Sequence, residues 1–422
     1  MYKYLLLTIS LFLLSTCNED PHQLIVNIYN EEILGVIKDT TLFVIHDTSY
    51  FQKSKVNTQF ASRLGLGRVE NLKCRPIFRF IDYSTLPDSA KIDSAWIKLV
   101  SRGSISRGNT LPFTARIYPI ISTQFPVWTS NLDSIWIDPD QSIDKGTILS
   151  ELQISPDDTN GYLFTLNDAG LDLVRTWADS AAIQEENYGF IIDFEMADYI
   201  QYFSAVNSGA DPELLLKYSF PADTAVYRDT LLANFDAYLY EGDYPRQVDR
   251  NYSSSLIVYN SVLFFNFDNF LNQVGGEVTI LSANLELPVD RDQSLIDPLY
   301  DIGNLVTLNL ESEPYETPVE ADLSLGFYAI LNTWSEDSSH IIVSSNDNRK
   351  TFANMIRAQL ANQKKPLGFV ISIADNADNK SSVVSDEKEQ FNYLAFYTSK
   401  EANPSKKARL TIEYWIPAKP RL

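Results

Sequence analysis

Cysteine, histidine and methionine are nearly missing from this chain, whose 422 residues include 2 Cys, 3 His and 3 Met. Two cysteines, Cys17 and Cys74, cannot supply the several bridges that staple small secreted domains, so burial of apolar side chains has to stabilise the fold. His22, His46 and His340 lie far apart, and no pair has the spacing of a metal-binding helix. Positive charge is also short: 34 Lys and Arg stand against 55 Asp and Glu, a formal net charge of −21. That balance excludes nucleic acid as an expected partner, because phosphate binding needs clustered Lys and Arg. It equally disfavours electrostatic adsorption to anionic lipid. Beyond the first residues no apolar run approaches the ~20 residues a membrane-spanning helix needs.

Signatures of chemistry are absent too. There is no Gly-x-Ser-x-Gly elbow, phosphate loop or Cys-His arrangement. Asp138-Pro139-Asp140 with Ser142 and Asp144 has the oxygen spacing that opens a calcium loop. Ile143 stands where that loop has glycine and Leu149 where it has a carboxylate, so no metal is expected there. Carboxylates are plentiful, and a glycosidase pair meets in space rather than in sequence, so a hydrolase or lyase stays open as the lesser alternative. The chain is expected not to be an enzyme, with no catalytic residue and no cofactor.

What is there begins at the N-terminus. Lys3 precedes an apolar run from Leu5 to Leu14, and Ser15-Thr16 leads to Cys17, the pattern of a secretory signal over residues 1–16. The junction resembles the bacterial lipoprotein box, although Thr16 replaces its usual Gly, Ala or Ser. That resemblance implies acylation of Cys17 and contact with a membrane through the lipid anchor only. Asn18-Glu19-Asp20 resembles the acidic tag that sends some lipoproteins to the outer face of the outer membrane, so the expected location is the cell surface. Residues 17–40 then form a linker.

The remainder repeats itself. Arg75-Pro76-Ile77-Phe78-Arg79-Phe80 alternates with period two, as does Ile92-Asp93-Ser94-Ala95-Trp96-Ile97-Lys98-Leu99, and a turn at Leu86-Pro87-Asp88 separates them. The second half has Val262-Leu263-Phe264-Phe265-Asn266-Phe267 and Ile280-Leu281-Ser282-Ala283-Asn284-Leu285-Glu286-Leu287. Phe80 aligns with Phe267 and Ala95 with Ala283. Asn187-Tyr188-Gly189-Phe190-Ile191-Ile192 matches Pro366-Leu367-Gly368-Phe369-Val370-Ile371. Closing strands follow at Leu214–Tyr218 and Leu410–Tyr414. Before each glycine strand lies one helical stretch, with Leu171, Val174 and Trp177 on one face in the first and Phe352, Met355, Ile356 and Leu360 in the second. Asn167 or Asp168 is positioned to cap the first.

Short alternating strands with long connections predict an all-β protein of two tandem jelly-roll-like β-sandwiches, each with one short helix, at residues 41–220 and 221–422. These residues resemble the DNRLRE-domain family, secreted jelly-roll modules that overlap with alginate-binding carbohydrate-binding modules. The first half carries the resemblance in Arg75, Phe78, Phe80, Leu86-Pro87, Ser94-Ala95, Trp177, Asn187-Tyr188-Gly189 and Tyr218, with Trp128 and Trp136 where the family has a paired-tryptophan stretch. The second half is a diverged copy: Val262 replaces the arginine, Leu360 stands near the helical tryptophan and Pro366 replaces the asparagine. The resemblance implies a fold and, through the family, binding of acidic or neutral polysaccharide. A structural or adhesive role with an unidentified protein partner is the alternative.

Two segments offer ligand-binding groups. Arg102 and Arg107 lie in a basic stretch from Ser101 to Gly108 and have the forked geometry that grips carboxylates. The run from Asp236 to Tyr252 carries Tyr238, Tyr240 and Tyr244, whose faces suit sugar rings, together with the donors Arg246 and Arg250. Solvated loops and strand packing account for the same residues, and the sequence leaves both readings standing.

Overall fold

The computed structural model describes residues 35–53, 58–59, 61–83, 86–87, 89–108, 110–121, 143–156, 161–179, 187–206, 208–221, 225–274, 278–297, 305–309, 328–329, 332–344, 351–361, 367–373 and 391–418. The signal segment, Cys17, Trp128, Trp136 and the residues from Asp138 to Ser142 lie outside them.

The chain is an all-β sandwich protein with short helices. Its first strand, β1 (Val36–Lys53), is the longest. Then follow β2 (Arg63–Val69), β3 (Leu72–Arg79), β4 (Lys91–Leu99), β5 (Ser101–Ser106), β6 (Phe113–Pro119), β7 (Ser150–Ile154) and β8 (Tyr162–Thr165). Helix α1 (Asp168–Asp179) leads to β9 (Phe190–Glu195), β10 (Tyr199–Ser204), β11 (Glu213–Ser219), β12 (Val226–Leu232) and β13 (Phe235–Glu241). The second series is β14 (Arg250–Ser254), β15 (Val258–Phe265), α2 (Asp268–Val274), β16 (Thr279–Pro288), β17 (Leu305–Asn309), β18 (Tyr328–Ala329), β19 (Asn332–Trp334) and β20 (His340–Ser344). It closes with α3 (Thr351–Ala361), β21 (Leu367–Ile373), β22 (Tyr393–Tyr397) and β23 (Arg409–Ile416). Helix α2 was not expected; Asn266 caps it by accepting the Asp268 N–H at 2.8 Å. No helix among the described residues is long and apolar enough to cross a membrane.

The alternating strands pack as their period demands. In β4, Ile92, Ala95, Ile97 and Leu99 face the core while Lys91, Asp93 and Lys98 point away. A four-stranded sheet, β12-β11-β4-β8, covers an eight-stranded one that includes β5-β10-β2-β3-β9-β6-β7 and β13. Between them Phe78, Phe80, Phe164, Phe190 and Val174 form a core with no exposed surface. The second sandwich is one curled eleven-stranded sheet whose core holds Phe265, Leu285, Phe352, Phe369, Leu410 and Ile412.

Helix α1 begins where Asn167 accepts the Gly170 N–H at 3.1 Å, which makes Asn167 the cap. Leu171, Val174 and Trp177 are its buried face. In α3, Phe352, Met355 and Ile356 are fully buried and Leu360 partly so. Both helices are fastened alike: Arg175 donates through Nε (2.9 Å) and a terminal nitrogen (2.6 Å) to the carbonyl of Ile92. Arg357 forks onto the carbonyl of Ile280, with Nε at 2.9 Å. Ile92 and Ile280 are corresponding residues of the two copies.

The sheets do not divide at 220/221. Strand β1 lies largely within the expected first sandwich, yet among the described residues it pairs with strands of the second, Val36–Phe43 along β23 and Val44–Lys53 along β15. Strands β12 and β13 follow position 221, yet they complete the first sandwich, β12 along β11 and β13 along β3. The two leading strands are themselves copies. Leu42 faces Leu410 as Leu231 faces Leu214, and Thr41 lies beside Thr411 as Thr230 lies beside Leu215. Asp47 accepts the Ser399 N–H beyond β22, and Asp236 accepts the Val206 N–H at 2.6 Å beyond β10. Each sandwich is therefore completed by the leading strand of the other repeat. Among the described residues, those between 58 and 241 make module 1, and those at 35–53 and between 250 and 418 make module 2.

Candidate functional site

The expected ligand residues fall into two environments. Tyr238, Tyr240 and Tyr244 are buried, at 1%, 3% and 3% exposure, so their ring faces are closed to solvent. They cement module 1 onto module 2. Tyr238 stacks on Phe391 at 5.5 Å, and Tyr244 stacks on Tyr393 at 4.4 Å, with Tyr252 on the same ring at 5.0 Å. The Tyr240 hydroxyl donates to the Leu256 carbonyl at 2.8 Å. Burial pushes the Tyr244 hydroxyl up from its ordinary pKa.

The same seam holds a buried ion pair. Arg63 at the start of β2 is 3% exposed and bonds both oxygens of Asp297, one at 3.2 Å. Its guanidinium lies 3.9 Å from the centre of the Tyr202 ring. The Tyr202 hydroxyl at 3.3 Å and the Phe391 N–H at 3.2 Å also donate to Asp297, so the buried carboxylate is satisfied from four sides. Arg107 reaches across as well, donating to the carbonyls of Asp292 (3.1 Å) and Gln293 (2.9 Å) and pairing with Glu70 at 3.0 Å. Arg102 stays within module 1, on the Ser204 hydroxyl at 2.7 Å and the Ser208 carbonyl at 3.0 Å. These two arginines grip backbone and hydroxyl acceptors of the protein itself.

Arg246 and Arg250 line an open cleft of ≈500 Å³. Strand β1 contributes His46, Asp47, Thr48 and Ser49, and the crossing after β13 contributes Gln247 and Val248. Asn251 and Tyr252 of β14, Tyr259 of β15, and Thr398, Ser399 and Lys400 beyond β22 complete it. The crossing can form because Gly242 adopts φ +108; a Cβ there would lie 1.8 Å from the Asn71 carbonyl oxygen. Arg246 is half exposed, 4.9 Å over the Tyr259 ring, and its contact with Asp243 is loose at 3.6 Å. Arg250 is held more tightly, with Nε on Asp290 and a terminal nitrogen on Asp249, both at 2.8 Å. Burial opposes its charge, but the Asp290 hydrogen bond and the two carboxylates leave its pKa raised.

One polar residue of the cleft wall is incompletely bonded. Asn251 is 4% exposed and its oxygen accepts the Ser49 hydroxyl at 3.3 Å. Its buried amide nitrogen has no hydrogen-bond partner among the described residues. Leaving such a buried donor unpaired costs ~1–3 kcal/mol.

Among the described residues no three His, Cys, Asp or Glu side chains gather in a metal-holding group. Asp144, from the calcium-like loop, accepts the Gly146 N–H at 2.9 Å and the Thr147 hydroxyl at 2.6 Å, a local turn. Cys74 is fully buried and burial pushes its thiol pKa well up, which disfavours a reactive thiolate. Comparison of the chain with family models, with curated proteins and with solved structures finds no match.

Sequence reasoning missed His46 to Ser49 and Thr398 to Lys400 as cleft residues. They sit on β1 and behind β22, which meet only because the leading strand crosses into module 2. The available signal was the likeness of Thr41-Leu42 and Asp47 to Thr230-Leu231 and Asp236.

Proposed function

We propose that this chain is a non-catalytic envelope protein, tethered through an acylated Cys17 and displayed on the outer membrane, that holds polysaccharide in the cleft beside β1. The observation that carries the reading is a cleft wall, with Asp47 as its carboxylate, that is rich in hydroxyls and amides and also holds the cations Arg246, Arg250 and Lys400. A hydroxyl-rich polymer offers acceptors to all of these, and one bearing carboxylates adds charge-assisted bonds that a protein of net charge −21 offers in few places.

Binding of residues 18–422 to a panel of acidic and neutral glycans tests it. Retention of acidic glycans is expected to weaken ~10–100-fold in Arg246→Ala/Lys400→Ala, the equivalent of one or two charge-assisted hydrogen bonds. Flat binding across the panel contradicts it. Radiolabelled fatty acid should enter the full chain and not Cys17→Ser, and surface proteolysis of intact cells should reach the protein.

A second reading rests on a separate observation. Ile37, Phe43 and Ile45 stand 61%, 45% and 55% exposed along β1, an apolar row that suits docking of a protein partner. Pull-down of a defined partner that Phe43→Glu releases, with no glycan retained, favours this structural or adhesive role.

A further inference from the structure

Strand β1 is held in an unusual way. It serves two sheet edges in series, Val36–Phe43 along β23 and Val44–Lys53 along β15, so each half has a backbone ladder on one side. Yet Val44 alone is buried between Val36 and Tyr50, with Leu42 partly covered. Its counterpart is β12 followed by β13, and the β13 half differs: Ala237, Tyr238, Leu239 and Tyr240 are all buried, where Thr48, Ser49 and Tyr50 of β1 are only partly so. Side-chain burial thus fixes β13 in module 1, whereas β1 is fixed mainly by backbone hydrogen bonds. These bonds carry little sequence information and re-form in any strand of the same register.

The connections add a second observation. Both leading strands leave their sandwich at once: β1 ends at Lys53 and β2 of the other module begins at Arg63; β13 ends at Glu241 and β14 begins at Arg250. A short crossing that carries a strand out of one folded unit and into another is the geometry of strand exchange between tandem copies. Exchange of an identical element between chains is a low-cost route to dimers.

We propose that the successive edges of β23 and β15 form a strand-binding slot that a second copy of this chain fills with its own β1. The displaced β1 fills the reciprocal slot, so every hydrogen bond is conserved and two chains are clasped at their N-terminal strands. Val44 is the residue that seats the strand. Thr41 reports its position, because its hydroxyl lies 3.2 Å from that of Thr411 on β23.

The test uses full-length chains from residue 18, so that Cys17 is absent, with fully buried Cys74 retained. Chains carrying Thr41→Cys alone are mixed with chains carrying Thr411→Cys alone, incubated at high concentration, diluted and oxidised. Trans exchange places the two thiols side by side, within reach of a disulfide. The disulfide-linked heterodimer is expected at least ~10-fold above a control that mixes Thr411→Cys with Met196→Cys, whose thiol is exposed but away from the slot. Val44→Asp should speed its appearance by loosening the seat. A heterodimer no more abundant than the control, or none while each variant remains folded by circular dichroism, overturns the proposal.

Discussion

The two modules solve one packing problem with partly different residues. In both, a helix is clamped by an arginine fork onto the carbonyl of the second residue of a strand, Arg175 on Ile92 of β4 and Arg357 on Ile280 of β16. Both helices also set an aromatic ring on the phenylalanine after the glycine. In module 1 it comes from the last turn, Trp177 on Phe190 at 5.1 Å. In module 2 it comes from the first turn, Phe352 on Phe369 at 5.3 Å, and Leu360 is left half-buried. The glycines diverge likewise. Gly189 has φ +88, with the Asn187 oxygen accepting its N–H at 3.1 Å, while Gly368 lies in an ordinary strand paired to Phe264. What survives in both copies is the means of fixing helix to sheet, while the position of the ring that fills the space beneath is free to move.

The largest effect should come from cutting the chain where its repeat, rather than its sheets, divides. Residues 58–241 are expected to unfold cooperatively as an isolated fragment, because every strand of module 1 lies within them. Residues 41–220 should fail to fold, since they lose β12 and β13 and carry an orphaned β1; equal chemical-shift dispersion in the two fragments would break the comparison.

Next come the corresponding arginines of β2 and β14. Asp297→Ala leaves Arg63 charged and buried, and denaturant titration should show a loss of ~3–5 kcal/mol. Asp290→Ala should cost less, ~1–2 kcal/mol, because Arg250 keeps Asp249 and lies nearer solvent. Truncating the helical residues sharpens the contrast: ~3–5 kcal/mol for Trp177→Ala, and under ~2 kcal/mol for the half-buried Leu360→Ala. The smallest effect, and an equal one, is expected from Arg175→Ala and Arg357→Ala, ~1–2 kcal/mol each for one lost fork. A difference above ~1 kcal/mol between those two would mean that the shared clamp is shared in appearance only.

Much of the architecture was legible in the sequence. Period two at Ile92–Leu99 and Ile280–Leu287, the helical faces and the Asn167 cap all follow from local rules that tertiary packing did not override. Sheet membership was not legible, for a physical reason: likeness between Thr41-Leu42 and Thr230-Leu231 says which segments are copies, but not which copy a segment completes. The tyrosines and arginines between Asp236 and Tyr252 were ambiguous for another reason. A sugar platform and a buried protein interface draw on the same two residue types, for area with a polar handle and for planar donors. Only the neighbours distinguish them, and Phe391 and Tyr393 arrive from far along the chain.

Disulfide mapping of the leading strand tests the exchanged architecture most directly. In dilute monomer, Thr41→Cys with Thr411→Cys should close a bond quantitatively, because β1 lies on β23 of module 2. Thr41→Cys with Leu215→Cys should stay reduced. The reverse result would place β1 on β11 of module 1 and contradict the account.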